Sequence, residues 1–249
     1  MTIGGFGLRG RVRRIRDMVF VCSFVLTAAT GLSGNALAAG AYVVDDSDTA
    51  DPGVCRVESW ASFSERSDFV GATNPICGIP FLRPAEIGVQ FGRTGLEDEW
   101  GTSAAPKLKV NLAPSGVGTL GVGIAGGFTY DFAAKEATTA SAYIPVTYMP
   151  DENIRINANL GWLYDKPSDL NWLTWGASAE FKVSEGVTLI GEVFGQTGQS
   201  VRPRSTQQPR IQTGIRFTPM ESFDVDVIYG LNVSGENRNW ITLGLNVRF

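Results

Sequence analysis

The chain has 249 residues, 43% of them hydrophobic and 18% charged, with 30 glycines and no histidine. The missing histidine removes Ser–His and Cys–His catalysis, His-dependent zinc sites and the usual neutral-pH proton shuttle. Lys and Arg total 21 against 25 Asp and Glu, an acidic balance that lacks the electrostatic footprint nucleic acid requires.

Arg9, Arg11, Arg13, Arg14 and Arg16 open the chain, an apolar run extends from Met18 to about Leu32, and Ala36-Leu37-Ala38 offers a small-x-small cleavage site. This order predicts a secretory signal peptide over residues 1–38. The apolar run is too short, and too rich in Ala, Ser, Thr and Gly, for a spanning helix, which needs ~20 strongly apolar residues. Cys22 lies inside it and is expected to leave with it. Cleavage takes away five Arg and Asp17, so 16 cationic and 24 anionic residues remain, a net charge of −8 over a single predicted domain, 39–249.

Two runs, 55–63 and 69–77, flank the polar segment Ser64-Glu65-Arg66-Ser67-Asp68. A hairpin centred on Arg66 pairs residues whose numbers sum to 132, which sets Cys55 opposite Cys77. The periplasm is oxidising, so a structural disulfide is expected there. Two cysteines without histidine make half a metal site at best, and no metal or cofactor is expected.

Beyond them, runs of period two recur near 86–93, 104–112, 119–130, 154–164, 173–183, 187–196, 210–218, 223–230 and 240–249. A run at 139–149 contains Pro145 and is apolar on both sides, which leaves its facing open. Alternation of this length is the signature of a membrane β-barrel strand. Short connections at Ala113–Gly118, Pro150–Asn153, Ser184–Gly186 and Pro219–Ser222 alternate with longer polar ones at Thr94–Thr102, Asp131–Thr138, Asp165–Trp172, Thr197–Pro209 and Leu231–Asn239. Short periplasmic turns and longer outer loops have that parity. The fold class is therefore all-β: a transmembrane antiparallel up-and-down barrel of about twelve strands, or ten if 55–63 and 69–77 lie outside the wall. Aromatic residues near strand ends (Trp162, Tyr164, Phe217, Phe223, Tyr229, Phe249) suit interfacial girdles.

The polar faces carry the candidate lumen lining: Lys107, Lys109, Arg155, Glu180, Lys182, Glu192, Arg210, Arg216, Asp224, Asp226 and Arg248. Ionisable groups at membrane depth need a polar interior, which means either a solute passage or a self-satisfied polar core. In an open barrel Lys107 and Lys109 bias the lumen toward anions; in a plugged one they are partnered and face Glu86. Gly121, Gly123, Ala125 and Gly127 leave one stripe nearly bare, which favours open space. The same glycines resemble a phosphate loop only superficially, because the Lys-Ser/Thr and the helix are missing. A turn centred near residue 220 places Arg216 opposite Asp224. Asp224 and Asp226, two apart beside Arg216, read as a charge network and not as a catalytic pair.

The last ten residues alternate strictly, with Ile241, Leu243, Leu245, Val247 and Phe249 on one face. Such a strand ending on Phe249 resembles the signal by which outer-membrane barrels engage the barrel-assembly machinery. The stretches Cys55-Arg-Val-Glu-Ser-Trp, Thr73-Asn-Pro, GWLYD at 161–165, LIGEVFGQ at 189–196, RFTP at 216–219, DVIYG at 226–230 and NWITLGLNVRF at 239–249 resemble an uncharacterised proteobacterial family of outer-membrane proteins. The C-terminal part is also similar to the MetA-type barrel family linked to a phenol-degradation pathway, whose members are read as transporters. The resemblance implies a bacterial outer-membrane barrel with lipid and small solutes as partners, no cofactor and no enzymatic role. The expected function is a small channel or solute-uptake barrel. The alternatives are a closed structural or surface-interaction barrel and a His-free hydrolase.

Overall fold

A computed structural model describes residues 41–64, 68–81, 84–96, 99–198, 209–233 and 239–249. The predicted signal peptide lies outside the described residues. Twelve strands follow in order: β1 (Cys55–Ser64), β2 (Phe69–Gly78), β3 (Ala85–Leu96), β4 (Glu99–Ala113), β5 (Leu120–Asp131), β6 (Glu136–Asp151), β7 (Ile154–Asp165), β8 (Leu170–Ser184), β9 (Val187–Gly198), β10 (Arg210–Met220), β11 (Phe223–Asn232) and β12 (Asn239–Arg248). Each pairs antiparallel with its sequence neighbours, and β1 pairs with β12 from Arg56↔Arg248 to Ser64↔Trp240, closing the barrel. No strand edge is left for lipid, which offers backbone groups no hydrogen bond. The pair 55–63 and 69–77 belongs to the wall, so the count is twelve.

The protein is inside out relative to a soluble sandwich. Leu160, Leu173, Ile215, Val227 and Leu243 are each more than half exposed, while Thr147, Asn157 and Asp224 are fully buried. Alternation along each strand sorts these two sets onto opposite faces. The open case of β6 resolves the same way: Tyr143, Pro145 and Thr147 point inward, and Ile144 and Tyr148 outward. Pairing with β5 jumps from Val122↔Val146 to Ala125↔Tyr143 around Pro145, which has no N–H to give to a ladder.

We call the end with Cys55 and Phe249 the base, and the opposite end the rim; barrels of this type keep short turns on the periplasmic side. Base connections include the two-residue turns 152–153, 185–186 and 221–222, with Gly186 at φ 78°. Rim connections are shorter than the sequence suggests, because strands run on through polar residues. β4 begins at Glu99 and β6 at Glu136, where Thr102 and Thr139 still pair in the ladder. Polarity marks the limit of lipid there, and the wall continues past it. Much of the predicted Thr197–Pro209 loop lies outside the described residues.

Cys55 and Cys77 are in register and joined, S–S 2.05 Å, as the hairpin sum of 132 requires. The Arg216–Asp224 pairing is corrected. The turn is Glu221-Ser222 and the ladder is irregular between Phe217 and Met220, so Arg216 stands opposite Asp226. The disulfide closes a loop of 22 residues. Replacing both cysteines by alanine should therefore lower the unfolding free energy by about 3 kcal/mol, measured by urea unfolding in lipid vesicles, with the barrel still forming.

Candidate functional site

The chain before β1, residues 41–54, does not lie outside the barrel. It runs around the inner wall as a belt, meeting the strands in nearly reverse chain order. Ala41 packs where a Cβ on Gly244 of β12 would sit, beside Asp226. The Tyr42 ring lies 5.3 Å from the Arg216 guanidinium, and its hydroxyl sits against Gly214. Val43 and Val44 donate their amides to Glu192 of β9 at 3.0 and 3.1 Å. Asp45 then meets β7, β6 and β4, Ser47 meets β6 and β4, and the Ala50 amide donates to Glu86 of β3 at 2.8 Å. Pro52 bridges to Gly78 at the end of β2, and the chain enters β1 at Cys55.

Bare positions on the wall make room for this belt. A Cβ added at Gly176 would lie 2.7 Å from Val44 Cγ2, and one at Gly121 would fall 2.3 Å from Ser47 Oγ. The open-space reading of the glycine stripe on β5 is thus corrected at Gly121 and Gly123, which seat Ser47, while Gly127 lines an open cavity. Close approach of a second backbone is a standard reason for glycine within a strand.

Three aspartates of the belt and three cations of the wall alternate in one ladder. Lys107 Nζ is 2.7 Å from Asp45, Asp45 is 3.1 Å from Lys109, and Lys109 is 3.3 Å from Asp46. Asp46 is 3.6 Å from Arg155, and Arg155 is 3.2 Å from Asp48, which also accepts from Ser115 at 2.8 Å. Lys109 also reaches Glu86 at 3.3 Å, and Glu86 pairs with Arg56, which is bonded to Glu58. Charges buried in a narrow lumen are tolerable only when paired in this manner.

The remaining predicted lining residues fall into smaller groups. Arg216 holds Asp226 through two hydrogen bonds of 2.8 and 3.1 Å. Asp224 accepts from Thr218, Asn246 and Arg248, and Arg248 also donates to the Glu221 carbonyl. Glu180 accepts from Asn157, which bonds Thr147 and Ser178 in turn. Gln212 donates to Glu192 at 2.6 Å. Lys182 is exposed at the base end of β8, and Arg210 is half-buried at the rim end of β10, opposite Phe194 and Asn232. Phe249 is exposed beside β1, exchanging backbone hydrogen bonds with Cys55. Sequence reading missed Asp45, Asp46, Asp48, Arg56 and Glu58.

On the rim side of the belt a cavity of about 200 Å³ remains, bounded by Val43, Asp45, Asn74, Gln90, Lys107 and Thr129. The Lys107 side chain is 36% exposed and that of Lys109 is 1% exposed. The ladder therefore opens into the cavity at its first cation and is covered below it.

A family model described as "Uncharacterised conserved protein UCP029691" matches residues 26–249. No curated protein matches the chain significantly. Three similar solved structures are the NanC porin, the KdgM porin and the COG4313 outer membrane channel from Pseudomonas putida F1. The NanC porin has a TM-score of 0.61 at 7% identity over 77% of this chain and 98% of its own. The KdgM porin has 0.59 at 6% over 78% and 99%, and has also been solved with disordered oligogalacturonate. The Pseudomonas channel has 0.58 at 11% over 82% and 98%. At such identities the likeness is one of fold: a porin-like outer-membrane barrel, in agreement with the apolar exterior. The similar proteins named are porins and channels, not enzymes.

The exposures of the two lysines separate their energetic roles. Lys109→Met removes the buried cation that Asp45, Asp46 and Glu86 share, leaving Asp46 to Arg155 and Glu86 to Arg56, and should cost about 3–5 kcal/mol of unfolding free energy. Lys107→Met acts at a partly hydrated pair and should cost at most ~1 kcal/mol. Denaturant unfolding of the two variants in one lipid system measures the difference.

Proposed function

The chain belongs to the UCP029691 family, and from that premise we propose that it is a small outer-membrane channel for polar solutes, gated from within by residues 41–54. The observation that carries this reading is the match between a wall thinned to glycine and a separate segment filling the space. A barrel meant to stay shut can fill its own lumen with large wall side chains. Here the wall gives up that volume at Gly121, Gly176, Gly214 and Gly244, and a strap takes it. The contacts of the strap are mostly polar; its apolar packing comes from Ala41 and Tyr42 near Ile190 and Ile228 and from the buried side chains of Val44 and Ala50. Most of these contacts involve a charged group and are worth about 1.5–3 kcal/mol each, but water that enters the lumen can take their place, so the segment is separable from the wall in a way an apolar plug is not.

The resemblance of the C-terminal segments to MetA-type transporters supports solute uptake. Export through residues 1–38, seating in outer-membrane lipid and assembly through the strand ending at Phe249 complete the reading. The ladder of six alternating charges favours a second reading, a permanently closed barrel, because it leaves the lumen electrically satisfied.

Planar-bilayer recording separates the two. The full chain should give brief, small conductance steps, and a chain lacking residues 41–50 should give larger, sustained ones. Silence from both, with each inserted in the bilayer, would establish the closed barrel.

A further inference from the structure

The wall does more than fill space around the belt; it reads peptide backbone. Glu192 accepts two consecutive main-chain amides, those of Val43 and Val44. Asn159 accepts from the Asp45 amide at 2.7 Å and donates to the Asp45 carbonyl at 2.8 Å, a two-point clamp on one residue. Thr147 accepts the Ser47 amide at 2.9 Å, and Asn111 donates to the Ser47 carbonyl at 2.8 Å. Glu86 accepts the Ala50 amide at 2.8 Å. Five side chains from five strands thus address main-chain groups that any amino-acid sequence would present.

Side-chain recognition is added at fixed places. The cations Lys107, Lys109 and Arg155 receive the carboxylates at 45, 46 and 48. Gly176 leaves room for the side chain at 44, and Gly121 for the one at 47. Backbone hydrogen bonds supply affinity without sequence, and pockets and charges supply preference; peptide grooves divide the work in this way.

We propose that the inner wall formed by β3, β4, β6, β7 and β9 is a peptide-binding groove, occupied by the chain's own belt at rest, that takes short, acidic peptides in trans. The inference rests on the channel reading, which it deepens by naming the solute class. The belt is then a tethered stand-in for the solute. The cavity beside Val43 and Lys107 is where a peptide arriving from the rim first meets the groove. A non-peptide anion could satisfy Lys107, Lys109 and Arg155, but it would leave Glu192, Asn159 and Thr147 without the main-chain partners they hold here.

The test is calorimetric titration of the purified full chain in detergent with the blocked heptapeptide Tyr-Val-Val-Asp-Asp-Ser-Asp. Controls are the same peptide N-methylated at its third and fourth residues, and citrate. The belt-weakened variant Asp45→Asn/Asp46→Asn should bind the heptapeptide at least about tenfold more tightly than the natural chain. Adding Asn159→Ala should abolish that binding, and neither control should compete. Competition by citrate, or equal binding of the N-methylated peptide, overturns the groove, since the wall would then read charge alone. Absence of binding by a belt-weakened barrel that keeps its heat-dependent gel mobility also overturns it. If the double variant does not form that barrel, Tyr42→Ala weakens the belt without touching the ladder and is read the same way. Conductance recorded on the same preparations keeps the two readings apart. A barrel that binds peptide and never conducts removes the gate and keeps the groove; one that conducts and ignores the peptide removes the groove and keeps the gate.

Discussion

A strand in lipid can find its hydrogen bonds only on another strand. The closure of β1 on β12 follows from that, and so does the rest of the molecule. Closure sorts side chains by parity, apolar outward and polar inward, and leaves a charged lumen without free access to water. Lys109 and Arg216 are almost wholly buried there. Groups of that kind must be paired or hydrated. Arg216 finds Asp226 on the neighbouring strand. Lys107, Lys109 and Arg155 find much of their countercharge in the belt.

Much of this is legible in the sequence, and the limits have physical causes. Period-two alternation locates nine strands, while β6 and the pair β1 and β2 show as less regular runs, and symmetry about Arg66 finds the Cys55–Cys77 bond, because side-chain parity and hairpin register are local properties. Strand ends at the rim were drawn short, because the barrel wall continues through Glu99–Thr102 beyond the reach of lipid, where polarity stops reporting structure. The register at Glu221-Ser222 is displaced by an irregular ladder between Phe217 and Met220, where Pro219 has no N–H to give to a neighbour.

The belt escapes because it has no periodicity: its hydrogen bonds to wall side chains reach residues 36 to 149 positions away. Two clues were nevertheless present. Asp45, Asp46 and Asp48 stand just ahead of the first strand while Lys107, Lys109 and Arg155 line the wall, and small residues at 121, 123, 125 and 127 leave a stripe that something must fill. The second clue by itself points to open space. A bare stripe inside a barrel is equally the imprint of a backbone lying against it, and the distances at Gly121 and Gly123 decide for the backbone.

A plug built from polar contacts differs in kind from an apolar one. Apolar packing is lost outright when a segment leaves, whereas hydrogen bonds and ion pairs in a wet lumen can be exchanged for water or solute. The belt is tied covalently at Cys55, where the disulfide and the backbone bonds around Gly78 anchor its root. Its far contact, Ala41 against Gly244, rests on one methyl group and the space a glycine leaves. That contact offers the most direct test of a movable gate. In a chain already lacking Cys55 and Cys77, Ala41→Cys and Gly244→Cys can be oxidised to lock the belt and reduced to release it. The account predicts a silent bilayer when locked and conductance on adding reductant; equal conductance in both states would contradict it.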